Sequence, residues 1–566
     1  MHERELVYDW NVAEDAGELR PRSADHPVEL DDETLRDGLQ SPSVQDPPIE
    51  AKIRILHLMA ALGIHTADIG LPGAGPRALA DVRALAREIV DAGLPIGANC
   101  AARTVRADIE PIARVSQEVG IPIEACTFIG SSPVRQYAEG WTLDRMLRAT
   151  EDAVTFGVAE GLPVMYVTED TTRARPETLA QLYGLAIQCG AKRLCIADTV
   201  GHATPRGARA LVTFVRDEIV RPSGEDVKID WHGHRDRGLG LANTLAAVEA
   251  GADRVHGTGL GIGERVGNTE MDLLLVNLKL LGLHEGELGR LAEYCEAVAA
   301  ATGVGIPANY PVIGADAFRT GTGVHAAAII KARKLGDDWL ADLVYSGVPA
   351  HHFGRHQVIE ISHVSGMSNV KFWLDEHGYD GMDDGLCNHV FALAKRTDHV
   401  LSDDEVRACC AVPRRRVSPP AAGPGRCRMS RWVFLADPTA YGWDDLVREG
   451  RAVWDGVANA IAQRNLRTCQ PGDDVLIYHT APDKAIQGLA RVVGEPYPDP
   501  GAADRVVVDV EPVTRLARPL PLAEIRQDTA LADMKFVRMP RVAVQPVTDA
   551  EWQRVLEASG TPARRG

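Results

Sequence analysis

The chain has 566 residues, too many for one ordinary domain, so two or three are expected. Its 45% hydrophobic and 25% charged residues give a globular composition, no apolar run reaches 18 residues, and the opening Met1-His2-Glu3-Arg4-Glu5 is unlike a signal or transit peptide, so a membrane-spanning or secreted chain is not expected. The net charge of −18 lies mostly in the front part, which argues against a surface there that coats a polyanion, whereas residues 430–566 are nearly balanced in charge.

Residues 1–25 read as a loose leader. Strand and helix signals then alternate. Strands are expected at Val28–Asp31, Thr66–Ile69, Pro95–Ala98, Ile123–Phe128, Val164–Thr168, Leu194–Ala197, Val227–Trp231 and Arg254–Gly257, with helices such as Ala51–Leu62 and Arg77–Ala92 between them. This alternation predicts a parallel sheet with helical crossovers. Eight such units in about 260 residues suit an α/β fold of the closed (β/α)8 (TIM) barrel type, with an open doubly wound sheet as the runner-up. The barrel is placed at 26–285. A helical subdomain at 286–410, with helices at Leu288–Thr302 and His325–Lys334, is expected to complete the active site. Residues 411–429 are basic and rich in Pro and Gly, a linker. The remainder, 430–560, carries short β-type runs at Asp474–Tyr478, Ile486–Val493 and Arg505–Val510 and reads as a small, mainly β domain. Ten cysteines without regular spacing, and no Cys-x-x-Cys, fit a reduced cytoplasm and give a structural zinc site little support.

Polar residues gather just past the strand ends, where a barrel of this kind builds its active site. His232 and His234 are two apart on a strand and point to the same side. Alone, such a pair also suits plain barrel packing. Asp37, past the first strand, and Asn268, past the eighth, can join them, because strands one, seven and eight are neighbours in a closed barrel. Two imidazoles, a carboxylate and an amide with open positions suit a catalytic divalent ion. Arg36, beside Asp37, is placed to stabilise an oxyanion, or else pairs with a neighbouring carboxylate. Glu169 in Val167-Thr168-Glu169-Asp170 is an acid, a base or a substrate clamp, or an acidic group at a helix start. Thr199 in Asp198-Thr199-Val200-Gly201 either hydrogen-bonds a substrate carboxylate or belongs to a simple turn.

Three motifs, Asp32-Glu33-Thr34-Leu35-Arg36-Asp37-Gly38, His232-Gly233-His234-Arg235-Asp236 and Gly261-Ile262-Gly263-Glu264-Arg265-Val266-Gly267-Asn268, resemble the DRE-TIM metallolyase superfamily over about residues 28–370. Within it the chain looks most like the 2-isopropylmalate, homocitrate and citramalate synthases. The resemblance implies an acyltransferase that condenses acetyl-CoA with a 2-oxo acid, using a divalent ion (Zn, Mg or Mn), and a homodimer. It implies metal ligands at Asp37, His232, His234 and Asn268, and catalytic roles for Arg36, Glu169, His325 and Tyr345. It places substrate contacts at Gln40, Asp68, Arg103, Thr199 and Glu264. The loop Gly259–Asn268 lacks the cysteine of the lyase branch, which favours a synthase over a retro-aldol lyase. Asp68 stands where synthases usually have Glu, and Ser131-Ser132-Pro133-Val134-Arg135 is nearer the homocitrate branch.

The tail segments Ser430–Pro438, Trp454-Asp455-Gly456-Val457, Gly472–Thr480 and Pro496–Pro500 resemble EVE domains, of the PUA-like superfamily, over 430–558. That resemblance implies a small β-barrel with an aromatic pocket for a modified nucleobase, for which Trp432, Trp454, Tyr478 and His479 are the candidates. For any one of the tryptophans, filling the core is the better reading. A reader of modified nucleic acid with a vestigial barrel is the competing class; it requires loss of the metal set, and all four residues are present.

Overall fold

A computed structural model of the protein describes residues 6–7, 27–336, 338–411, 430–499, 502–540 and 542–562. The expected leader and linker fall almost wholly outside these residues. The chain divides into two compact units, residues 1–413 and 414–566.

In the first unit eight parallel strands close into a barrel in sequential order: β1 (Glu29–Asp32), β2 (Thr66–Asp68), β3 (Gly97–Arg103), β4 (Ile123–Gly130), β5 (Val164–Glu169), β6 (Arg193–Asp198), β7 (Lys228–Gly233) and β8 (Arg254–Gly257). The ring closes where β8 pairs with β1, Leu30 opposite Val255 and Asp32 opposite Gly257. The open-sheet alternative is thereby excluded. Crossover helices such as Ile49–Ala61, Pro76–Asp91 and Pro176–Gln188 cover the outside. Several begin with proline, whose fixed φ and missing N–H suit a first helical position. Thr204 also caps one of these, and Thr142 caps another helix, by accepting the backbone N–H of Gly207 and Arg145.

β3 departs most from expectation, starting two residues later and running to Arg103. Its Asn99-Cys100-Ala101-Ala102 lacks the branched and aromatic residues that mark strands, and pairing with β2 and β4 imposes the conformation instead.

Alternation along β7 shows how the barrel sorts its residues. Ile229 and Trp231 are buried in the outer apolar core, while Asp230, His232 and His234 take the inward side. Part of the interior is charged rather than aliphatic. Arg254 bonds Asp230 at 2.6 Å and Glu124 at 2.5 Å, and Arg193 bonds Asp230 at 2.8 Å. Asp31 accepts from Asn99 at 2.6 Å and Thr66 at 2.5 Å. Buried charges persist only when paired in this way.

Beyond the barrel, helix Leu291–Thr302 packs Leu291, Tyr294 and Val298 into the barrel core, and the Tyr294 hydroxyl donates to Asp32 at 2.5 Å. Helices Gly323–Lys334, Met367–Glu376, Asp384–Ala394 and Asp403–Ala411 follow, three of them around a separate small core of Ile361, Val370, Trp373, Leu374 and Val390. No helix among the described residues is long and apolar enough to cross a membrane.

The second unit is a curled sheet with strands in the order Ala452–Trp454, Ala502–Pro521, Ala485–Val492, Asp474–His479, Arg431–Ala436 and Val544–Pro546. Its two faces bury different cores: Trp432, Phe434, Trp454, Val475 and Ile477 on one, Val433, Leu476, Tyr478 and Phe536 on the other.

Candidate active site

The sharp turn after β1 places Glu33, Arg36 and Asp37 at the barrel mouth, and β7 brings up His232 and His234. The glycine-rich loop after β8 folds back so that Asn268 forms a backbone bridge with His234. Gly267, at φ +100°, makes this reversal possible: a Cβ there would lie 1.8 Å from the Gly261 carbonyl oxygen.

Three ligand atoms converge. His232 Nε2 and His234 Nε2 are 3.2 Å apart, and each lies 3.6 Å from Asp37 Oδ2. Donors held about 2.1 Å from one ion at tetrahedral to octahedral angles stand about 3.0–3.4 Å apart, so the spacing is close to that of a ligand set. Asn268 Nδ2 donates to Asp37 Oδ2 at 2.8 Å, while Asn268 Oδ1 is buried without a partner, an acceptor that a cation would satisfy. His232 Nδ1 faces Glu33 Oε2 at 2.7 Å; a proton on Nδ1 leaves Nε2 its lone pair for a metal. Burial, with His232 nearby, pushes the His234 imidazole down to about 4, so it is neutral at pH 7. These residues fit a divalent ion.

Around the cluster, Arg36 donates from Nε to Asp68 at 2.7 Å and from NH2 to Glu33 at 3.0 Å, with NH1 3.7 Å from Asp37. Burial opposes its charge, but Asp68, Glu33 and Asp37 hold the guanidinium protonated. Glu33 is the hub that the sequence motifs do not single out. It meets His232, Arg36 and also His256, whose Nδ1 lies at 3.1 Å and whose Nε2 lies 2.9 Å from Asp230. Burial opposes ionisation of Glu33, but His232 and Arg36 outweigh it and hold the carboxyl well below its usual range. Burial likewise opposes charge on His256, yet Asp31, Asp230 and Glu33 push it up to about 10.

Gln40, Glu169, Thr199 and Glu264 line the same cavity, of about 330 Å³, with Arg36, Asp37, His232 and His234. Burial raises Glu169, with Arg135 partly opposing. Thr199 Oγ1 accepts the Asp170 N–H at 2.8 Å, leaving its own proton to donate. Asp68 acts on the cavity only by holding Arg36. Arg103 is not brought to it: its guanidinium is exposed and tied to Asp108 at 2.7 and 2.9 Å. β3 ends at this residue, and although it shares the parity of Ala101, the pair with Asp108 holds its guanidinium away from the cavity. His325 and Tyr345 stack on each other, ring centres 4.0 Å apart, but both are exposed and neither lines the cavity.

In the second unit the four aromatic and histidine candidates do not share one pocket. Tyr478 lies on the opposite sheet face from Trp432 and packs on Phe536. Trp432 is in the core with Nε1 donating to Asp473 at 2.9 Å. His479 has both ring nitrogens engaged, accepting from the Trp443 N–H at 2.8 Å and meeting Asp483 at 2.6 Å. Trp454 alone of the four lines a cavity of about 610 Å³, beside Tyr441, Asp437, Glu449 and Arg451.

Comparison with known proteins agrees with the two folds. The HMGL-like family matches residues 27–298, and the EVE domain family matches 430–558. A homocitrate synthase AksA of Methanopyrus kandleri is 33% identical over 352 residues, which span 62% of this chain and 82% of that protein. The chain belongs to the HMGL-like (DRE-TIM) family. A putative (R)-citramalate synthase CimA of the same organism is 34% identical, over 66% of this chain and 69% of its own length, and a probable 2-isopropylmalate synthase is 31% identical, over 63% and 68%. The first unit of this HMGL-like protein is therefore of the synthase type, and the second unit is an EVE domain.

Proposed function

We propose that the barrel catalyses a metal-dependent condensation of acetyl-CoA with a 2-oxo acid. The observation that carries this reading is the convergence of Asp37, His232 and His234 at one end of a cavity that also holds a fully charged Arg36. The synthases among its relatives support the same chemistry. A divalent ion held by Asp37, His232, His234 and Asn268 would supply Lewis-acid polarisation of the oxo acid's carbonyl. Arg36, fixed by Asp68 and Glu33, aims its guanidinium at the oxygen on which negative charge develops. Thr199 donates its hydroxyl to the substrate carboxylate. Glu169, raised by burial, holds or accepts a proton at the cavity wall. His325 and Tyr345, paired by stacking outside the cavity, would supply acid–base groups only on closure of the helical region over the mouth. In the EVE domain, Tyr441 and Trp454 offer flat faces for a modified nucleobase.

The test is release of CoA thiol by the full-length protein. It should require acetyl-CoA, a 2-oxo acid and a divalent ion together. Release independent of the oxo acid would mean thioester hydrolysis and would reject the condensation.

A further inference from the structure

Resting on that reading of the barrel, we propose that the oxo acid's side chain is uncharged and apolar, so that the enzyme selects 2-oxo monocarboxylic acids over those bearing a second carboxylate. The cavity has two unlike sides. The metal cluster and Arg36 come from β7, β8 and β1. The facing wall comes from the other strands and, apart from Glu169 at the end of β5 and Thr199 after β6, is apolar: Leu71 after β2, Ala101 on β3, Phe128 on β4, Val167 on β5 and Ala197 on β6. Cys126 and Cys195 line it too, and burial pushes both thiols well above their ordinary value, so neither carries charge. A substrate whose carbonyl and carboxylate face the cluster points its substituent at this wall.

No residue of that wall is a cation. The cations lining the cavity are already committed. Arg36 is shared among Asp68, Glu33 and Asp37, His256 lies between Glu33 and Asp230, and Arg265 is held by Asp236 at 2.8 and 3.0 Å and by the Thr199 carbonyl at 2.6 Å. A second carboxylate would lose its water without gaining a counter-charge, while meeting Glu169 and Glu264. Leu71, Phe128 and Val167 are each only partly buried, leaving apolar surface that a branched aliphatic substituent covers. The nearest competing feature is Arg135. It lies outside the cavity lining, 3.8 Å from Glu169 and 3.6 Å from Glu139, with its Nε buried and unpartnered. A dicarboxylate would have to displace Glu169 to reach it.

The experiment uses full-length protein loaded with Mn²⁺, and compares 3-methyl-2-oxobutanoate, pyruvate, 2-oxoglutarate and oxaloacetate by calorimetric binding and by CoA release. Expected is at least about tenfold tighter binding and higher kcat/KM for 3-methyl-2-oxobutanoate than for 2-oxoglutarate. Val167→Lys should reverse the ratio at least tenfold, and Arg135→Ala should change it less than twofold. Preference for 2-oxoglutarate, lost in Arg135→Ala, overturns the inference and leaves the condensation standing. Preferential binding of 3-methyl-2-oxobutanoate without CoA release from any acid does the reverse. Binding of none of the acids overturns both.

Discussion

Glu33 provides the sharpest test of how this site is built. Its two oxygens serve His232 Nδ1 at 2.7 Å, Arg36 at 3.0 Å and His256 at 3.1 Å. Glu33→Gln keeps the size but brings an amide NH2 against donors, and Glu33→Ala removes the acceptor altogether. Loss of such a support behind a histidine ligand weakens metal binding by about 10- to 100-fold, or about 1.4–2.7 kcal/mol. Folding should suffer less than when a buried pair loses its only partner. Arg36 keeps Asp68 at 2.7 Å and His256 keeps Asp230 at 2.9 Å, so the loss expected in the metal-free protein is about 1–3 kcal/mol. Mn²⁺ titration calorimetry measures the first quantity and urea unfolding of the metal-free protein the second. A variant that folds normally and binds Mn²⁺ within twofold of wild type would refute the assignment of Glu33 as the group that orients His232.

Arg36→Ala should lower kcat by about 100- to 1,000-fold with metal content unchanged, and Arg36→Lys should recover only part, since lysine lacks the planar fork; normal turnover in either refutes the oxyanion role. His256 is pushed up to about 10 in the folded protein from an ordinary 6.5, so the stability it contributes is complete below pH 6.5 and is lost as pH rises through 10, up to about 5 kcal/mol. Urea unfolding of wild type and His256→Gln should therefore show a gap that shrinks from pH 6 to pH 10, and a constant gap would contradict the charged state. In the EVE domain, Tyr441→Ala should weaken binding of a modified nucleoside by about 1–3 kcal/mol with little dependence on salt, measured by fluorescence titration; unchanged affinity would remove Tyr441 from the pocket.

The barrel is legible in the sequence because its strands alternate with amphipathic helices, and because β7 announces itself: Ile229 and Trp231 face outward while Asp230, His232 and His234 face inward. The same alternation carries the signal for Asp230. β3 was hard to see because small residues have no strand preference of their own and take their conformation from neighbours. Glu33 and His256 carry no local signal, because their meaning lies in contacts across β1, β7 and β8. Arg103 shares its parity with Ala101, which lines the cavity, but stands at the strand end, where its pair with Asp108, five residues on, holds the guanidinium away, a contact that no local pattern encodes. The EVE candidates were aromatic residues on strands, where a one-residue difference in parity separates Tyr478 from the face that holds Trp432 and Trp454.

The central claim is that a new carbon–carbon bond forms at this site, and carbon-13 NMR tests it directly. Acetyl-CoA labelled at the methyl carbon is incubated with the full-length protein, Mn²⁺ and 3-methyl-2-oxobutanoate or, in parallel, 2-oxoglutarate, and the metal is removed before the spectrum is taken. The account predicts that the label moves from a methyl to a methylene signal next to a quaternary carbon, and that His232→Ala and His234→Ala abolish the change. Label recovered only as acetate, or a methylene product formed equally well by both histidine variants, would contradict it.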